Sequence, residues 1–203
     1  VTGAVRRLRA ADRPAVPWKN GGGLTRPVAT WPAGAGLDTF EWRVSCATVA
    51  EDGPFSRFDG IDRTLAVLDG RLALDGDGRS RVIAAGEPPV SFRGEAAIVG
   101  RVLAADAGIA APVVDLNVMV RRGLWEAEVR WAGLPAVVRS AADELLLFAW
   151  GAPVEVAVPG DAPVELAPDD VLWISQPAAA PVQLTAAAGR VLVIELSARA
   201  AAG

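Results

Sequence analysis

The residues that could do chemistry in this chain are few, and they stand out by type. There is no histidine and no tyrosine, and there is a single cysteine, Cys46. Ser-His-Asp and Cys-His mechanisms are therefore excluded, as is any imidazole general base. His-ligated metal centres are excluded on the same ground, and one cysteine cannot hold zinc; an all-carboxylate site would favour hard ions such as Ca²⁺ or Mg²⁺. Of 20 basic residues one is a lysine, Lys19, and the only asparagines are Asn20 and Asn117. Arginine fills every other cationic position, so Lys19 is either a chance survivor beside a turn-forming Asn20 or, the reading favoured here, a place where a compact point charge with a tunable pKa is wanted.

Four segments collect these residues. The first is Trp18-Lys19-Asn20-Gly21-Gly22-Gly23-Leu24-Thr25. Its glycines allow close backbone approach and an anion-binding nest of N–H groups, with Lys19 as cation, Asn20 as donor and acceptor, and Trp18 as an apolar wall. It is not a phosphate-binding P-loop, because the lysine precedes the glycines. A flexible loop ahead of the first strand would use the same glycines; the adjoining Trp, Lys and Asn favour a binding loop. In the second segment, Glu41 to Val49, strand alternation puts Trp42, Val44 and Cys46 on one face and Arg43, Ser45 and Ala47 on the other. Turned inward, Arg43 and Ser45 would grip a carboxylate; turned outward, Arg43 is an ordinary solvated charge. The third, Asp52 to Arg63, is turn-rich and serves structure or function equally well. The fourth, Val114 to Gly123, places Asp115, Asn117 and Met119 on one face of an otherwise apolar strand. Two residues of poor β propensity there need hydrogen-bonded burial or a ligand.

The elements that must position these residues are strands. Short apolar runs alternate with Gly, Pro and Asp clusters, and helical periodicity is nearly absent. Strands are expected at Glu41 to Val49, Arg63 to Asp69, Arg71 to Leu74, Ser80 to Ala84, Ala96 to Ala104 and Val114 to Arg121. In the second half they are expected at Trp125 to Trp131, Ala136 to Arg139, Glu144 to Trp150, Pro153 to Val158, Asp170 to Ser175 and Gly189 to Ser197, with a short helical turn over Arg139 to Glu144 and a frayed tail from Ala198. Asp69-Gly70 and Trp150-Gly151 are read as tight hairpin turns, and Asp75 to Gly78 and Pro159 to Asp161 as the turns that follow. The halves repeat weakly: an apolar strand, a glycine, a second strand, then an acidic turn 16 residues on at Gly86 and 18 on at Asp169. That is how a jelly roll reads, here twice, giving an all-β chain of two jelly-roll lobes, residues 1–110 and 111–203.

Composition narrows the partners. A net charge of -4 and dispersed arginines argue against general nucleic-acid binding. The arginines of Val1 to Ala10 precede no apolar stretch, so no secretory signal is expected there, and no run is long enough to span a bilayer. A cytoplasmic protein without cofactor, metal, nucleic-acid or membrane partner is expected.

In combination, Trp18-Lys19-Asn20-Gly21-Gly22-Gly23-x-Thr25, Trp42-Arg43-x-Ser45, Asp52-Gly53-Pro54-Phe55-Ser56 with Gly60-x-Asp62-Arg63, and Asp115-x-Asn117-x-Met119-x-Arg121 resemble the HutD/Ves family from about Val16 to Ser197. The resemblance implies a bicupin of the RmlC-like class, a β-barrel pair. It also implies a link to bacterial histidine utilisation in one branch and to stress response in another, and a ligand such as N-formyl-glutamate. By the same resemblance Trp18, Lys19, Asn20, Gly21, Arg43, Ser45, Asp115 and Asn117 line or adjoin the pocket, and Gly22 of the same loop is a further candidate for ligand binding. The family places a glutamate after the threonine, where this chain reads Thr25-Arg26-Pro27, so that part of a site is altered here. The expected function is binding of a small carboxylate metabolite, with Lys19 and Arg43 neutralising it and self-association into a homodimer left open. The rival is a metal-independent isomerase, epimerase or hydrolase using Lys19 and Asp115.

Overall fold

Val and Leu recur with Ala through the apolar runs, and their branched side chains suit a pleated surface packed on at least one face. The computed structural model describes residues 3–18, 21–76, 78–104 and 111–200. In chain order its strands are β1 (Val5–Leu8), β2 (Val16–Pro17), β3 (Gly23–Trp31), β4 (Trp42–Val49), β5 (Gly53–Pro54), β6 (Ile61–Asp69), β7 (Arg71–Gly76), β8 (Arg79–Ala84), β9 (Val90–Arg93) and β10 (Val99–Val102). They continue as β11 (Val113–Arg121), β12 (Trp125–Ala132), β13 (Ala136–Val138), β14 (Glu144–Trp150), β15 (Val154–Ala157), β16 (Val164–Leu166), β17 (Val171–Ser175), β18 (Val182–Thr185) and β19 (Arg190–Ala198). The only helical element among the described residues is a 3-10 turn at Ala10–Asp12. The helical turn expected over Arg139 to Glu144 does not form: the Ser140 hydroxyl accepts the Ala142 N–H at 3.2 Å and bends the chain instead. No helix is long and apolar enough to cross a membrane among the described residues.

The chain divides into two compact units, Pro14–Leu124 (the N lobe) and Trp125–Gly203 with Val1–Arg13 (the C lobe). A boundary at 110/111 was expected. Pairing moves it: β11 lies between β4 and β6 in the N-lobe sheet, and β1 pairs with β17 of the C lobe. Asp170 fastens that first strand. Its carboxylate accepts Arg7 Nε at 2.9 Å, Arg7 Nη2 at 2.6 Å and the Ala10 N–H at 2.8 Å.

Each lobe is a jelly roll of two antiparallel sheets. In the N lobe the orders are β2-β3-β4-β11-β6-β9 and β5-β10-β7-β8; in the C lobe they are β1-β17-β14-β19-β12 and β13-β18-β15-β16. The sets β4-β11-β6-β9 and β12-β19-β14-β17 correspond strand for strand, as do the two four-stranded sheets. The weak sequence repeat is therefore a repeat of topology. Two of its turns are something other than hairpins, however. Strands β6 and β7 flank Gly70, and β14 and β15 flank Gly151, yet within each pair the strands belong to different sheets. The positive φ of each glycine, 83° and 82°, turns the chain from one sheet to the other. True hairpins follow at β7–β8 and β15–β16.

The lobes differ in what fills them. Inside the C lobe, Leu145, Leu147, Ala149, Leu172, Ile174, Val191 and Val193 pack with Val154, Val156 and Leu184 into an apolar core. Inside the N lobe, Leu65, Val67, Val90 and Val113 of the six-stranded sheet meet Leu72, Leu74 and Ile83 of the four-stranded one. The same interior face of that larger sheet carries the polar residues described next.

Candidate functional site

Register decides which side chains share the N-lobe interior, because residues directly opposite one another in a sheet point to the same face. Three rows cross the six-stranded sheet. In the first, Met119 of β11 is flanked by Arg43 of β4 and Arg63 of β6. In the second, Asn117 is flanked by Ser45 and Leu65. In the third, Asp115 is flanked by Ala47 and Val67, and Thr25 of β3 lies beyond Ala47. Leu65 and Val67 belong to the interior core, so the whole face looks inward. The structure thus brings Arg43, Ser45, Asp115 and Asn117 together on one interior face, as two guanidinium-bearing positions, then a hydroxyl and an amide, then a carboxyl. The ladder is bulged at Val114/Asp115, which re-aims the side chain that follows.

Burial makes these groups demanding. Asp115 is 1% exposed, Arg63 4% and Asn117 8%. Among the described residues, Asp115 Oδ2, Asn117 Oδ1 and Arg63 Nε have no hydrogen-bond partner. Each such orphan costs about 1–3 kcal/mol. Desolvation pushes the Asp115 carboxyl up to about 7, against the downward pull of the Arg63 charge. Burial likewise lowers Arg63 to about 10, with Asp115 acting the other way. The guanidinium stays in place because Phe55, Phe92 and Phe58 lie 5.0, 5.1 and 5.8 Å from its centre and the Ser56 carbonyl accepts Nη1 at 3.1 Å. Arg43 is half-buried, and desolvation lowers its pKa too. It makes no ion pair among the described residues.

Trp18 packs against the same core, and its indole N–H donates to Thr25 Oγ1 at 2.8 Å. A Cβ on Gly23 would clash with the Thr48 carbonyl and meet the Trp18 ring at 3.1 Å, so the glycine is what lets the indole pack against the strand. The Gly21 N–H donates to the Trp18 carbonyl at 3.1 Å; the expected nest of free amides lacks that donor. Gly22 is buried, its carbonyl accepting the Ala50 N–H at 3.0 Å. Lys19 and Asn20 lie outside the described residues.

Sequence reasoning placed Arg63 within the family motif but not in the site. Its period-two relation to Leu65 and Val67 was the available signal: if those two face the core, so does Arg63. The turn-rich Asp52–Arg63 segment takes a supporting role, supplying Phe55 and Phe58 around that guanidinium.

The interior donor set does not fit the His-and-Glu metal centre familiar in cupins. It holds one carboxyl, one amide, hydroxyls and two guanidiniums, and no group of three or more Asp, Glu, Cys or His suits a metal ion among the described residues. What it can do is hold a small anion between cations while offering acceptors deeper along the face.

Two jelly rolls of this topology, one with unpartnered polar groups on its interior face, define a cupin-type all-β protein. A cupin 2 conserved barrel domain protein from Leptotrichia buccalis shares the fold at 9% identity, with a TM-score of 0.53 over 91% of this chain and 92% of that one. The HutD family model matches residues 10–193, and the chain belongs to the HutD family. HutD from Pseudomonas fluorescens SBW25, solved in a formate condition, superposes with a TM-score of 0.81 at 32% identity, over 97% of this chain and 100% of that one. An uncharacterised 21.2 kDa protein of the hutC 3′ region of Pseudomonas putida is 36% identical over 156 residues, 75% of this chain and 77% of that protein.

Proposed function

We propose that the N-lobe interior binds a small carboxylate metabolite and that the protein acts as a ligand-binding or regulatory member of histidine utilisation, with N-formyl-glutamate as a candidate ligand. The observation that carries this reading is the set of buried, unpartnered polar atoms on Arg63, Asp115 and Asn117. The fold does not require them. At the places of Asp115, Asn117 and Arg63 the C lobe has Val191, Val193 and Leu145, and the charged residues on that face, Arg130 and Glu195, satisfy each other at 3.0 Å. A buried polar face without partners is costly, and a ligand that completes its hydrogen bonds recovers that cost. Arg43 and Arg63 would neutralise the carboxylate, Ser45 and Asn117 would orient it, and Trp18 would supply an apolar wall. Lys19 and Asn20 would join them from the glycine-rich loop. The hutC-region relative in Pseudomonas putida supports the pathway assignment.

A thermal-shift screen with N-formyl-glutamate and related acids tests it. A ligand that binds the folded state raises the melting temperature by mass action. The expected result is a clear shift for one acid that is lost in Lys19→Ala and in Arg43→Ala. No shift for any acid would sink the pathway reading.

A second reading has one observation in its favour. A buried carboxyl held near pH 7 suits general acid/base work, so Asp115 with Lys19 would serve a metal-independent enzyme. Turnover in a metabolite screen, abolished by Lys19→Met, would establish it.

A further inference from the structure

The unpartnered atoms of the interior face are of two kinds, and they are ordered along it. Arg63 Nε is a donor, Asn117 Oδ1 is an acceptor, and Asp115 Oδ2 is an acceptor whenever its carboxyl is ionised. Arg43 and Arg63 occupy the row of Met119, and the acceptors stand one and two rows further along β11. Successive rows are about 7 Å apart, from a rise of ~3.4 Å per residue. A bare carboxylate can meet the guanidiniums but has no hydrogen to donate to Asn117 Oδ1.

We infer that the ligand is a carboxylic acid that also carries an N–H or O–H donor remote from its carboxylate, the carboxylate lying between Arg43 and Arg63 and the donor meeting Asn117 and Asp115. This rests on the carboxylate-binding reading and narrows it to a class: hydroxy acids, amino acids and amide-bearing acids, as against simple alkanoates and unsubstituted diacids. Two further facts support it. Asn117 and Asp115 are both more than nine-tenths buried, so the group that meets them must enter the interior. Ser45, also buried, sits beside Asn117 and adds a hydroxyl that can turn either way. Asn117 and Asp115 thereby become the residues that set specificity, because a buried acceptor left empty penalises the analogue lacking the donor more than an added methyl group can repay.

The test uses matched pairs that differ only by exchange of a terminal methyl for a hydroxyl: 4-hydroxybutyrate against pentanoate, 5-hydroxypentanoate against hexanoate, and 6-hydroxyhexanoate against heptanoate. Dissociation constants are measured by NMR titration of the intact chain. At the chain length that spans the rows, the hydroxy acid is expected to bind about tenfold more tightly than its partner, the value of one recovered buried hydrogen bond. In Asn117→Leu and in Asp115→Leu that preference falls, and the alkanoate binds more tightly because an apolar wall replaces an empty acceptor. Equal binding of both members of every pair would overturn the inference while leaving carboxylate binding in place. So would a preference that survives in both variants. Failure of all six acids and of N-formyl-glutamate to bind would remove the carboxylate reading and this inference with it.

Discussion

Replacing Asp115 with asparagine isolates the energetic consequence of a buried, unpartnered carboxyl. Burial raises the Asp115 pKa from 3.8 to about 7. A raised carboxylate pKa means the folded chain holds its proton where the unfolded chain has already released it. The stability tied to this group is therefore fully present below about pH 4, falls as pH rises toward 7, and is lost above that. Three units at about 1.4 kcal/mol each set the scale at about 4 kcal/mol, an upper bound because water penetration relaxes buried charges. Asparagine keeps the shape but cannot ionise. Asp115→Asn should match the wild type within about 1 kcal/mol at pH 4 and exceed it by up to ~4 kcal/mol at pH 8. Urea unfolding followed by tryptophan fluorescence across that range measures the difference. Asp170 and Glu95, whose pKa values are lowered in the fold, slope the other way with pH, but they are common to both chains and cancel. A difference between the two proteins that stays constant from pH 4 to pH 8 would refute the reasoning, since it would mean that the carboxyl is ionised and satisfied in the fold.

Other perturbations have equally definite outcomes. Arg63→Met should abolish carboxylate binding by isothermal titration yet cost little stability, about 1 kcal/mol or less, because removing a buried cation relieves desolvation while methionine fills the Phe55, Phe58 and Phe92 cage. Gly23→Ala should destabilise by about 1–3 kcal/mol through its clash with the Thr48 carbonyl, and should shift tryptophan emission as the Trp18 indole is displaced. Asp170→Ala should cost about 3 kcal/mol in denaturant titrations, because it leaves the Arg7 guanidinium and the Ala10 N–H without their acceptor. Burial raises the Asp170 pKa but is outweighed by the Ala10 N–H, Arg7 and Ala167 N–H, which hold it below its ordinary value. The penalty should therefore be complete above about pH 4 and fade as pH falls below that.

Strand alternation and the glycine corners were strong local signals in the sequence. The expected strands Glu41 to Val49, Arg63 to Asp69 and Val114 to Arg121 fall within a residue or two of β4, β6 and β11. That agreement put Arg43 with Ser45, and Asp115 with Asn117, on common faces before any pairing was known. Pairing itself was not legible. Nothing local says that the strands on either side of Gly70 belong to different sheets, or that Val5–Leu8 pairs with a strand more than 160 residues on. Strand β3 is not among the expected strands, since its glycine and Pro27 weaken the strand pattern; a bulge between Pro27 and Ala29 accommodates the proline, which lacks the N–H a regular ladder would use. Arg63 is not legible as a site residue because an arginine at the start of a strand is normally solvated; Phe92 opposite it on β9, Phe55 and Phe58 of the preceding turn and the Ser56 carbonyl make its burial tolerable.

The central claim is that the polar face of the N lobe exists to hold a carboxylate. The most direct measurement is isothermal titration of N-formyl-glutamate into the wild-type protein and into Arg63→Met. Saturable binding by the wild type and none by the variant, at unchanged fold by circular dichroism, is the predicted result. Binding of equal strength to both proteins, or to neither, would contradict it.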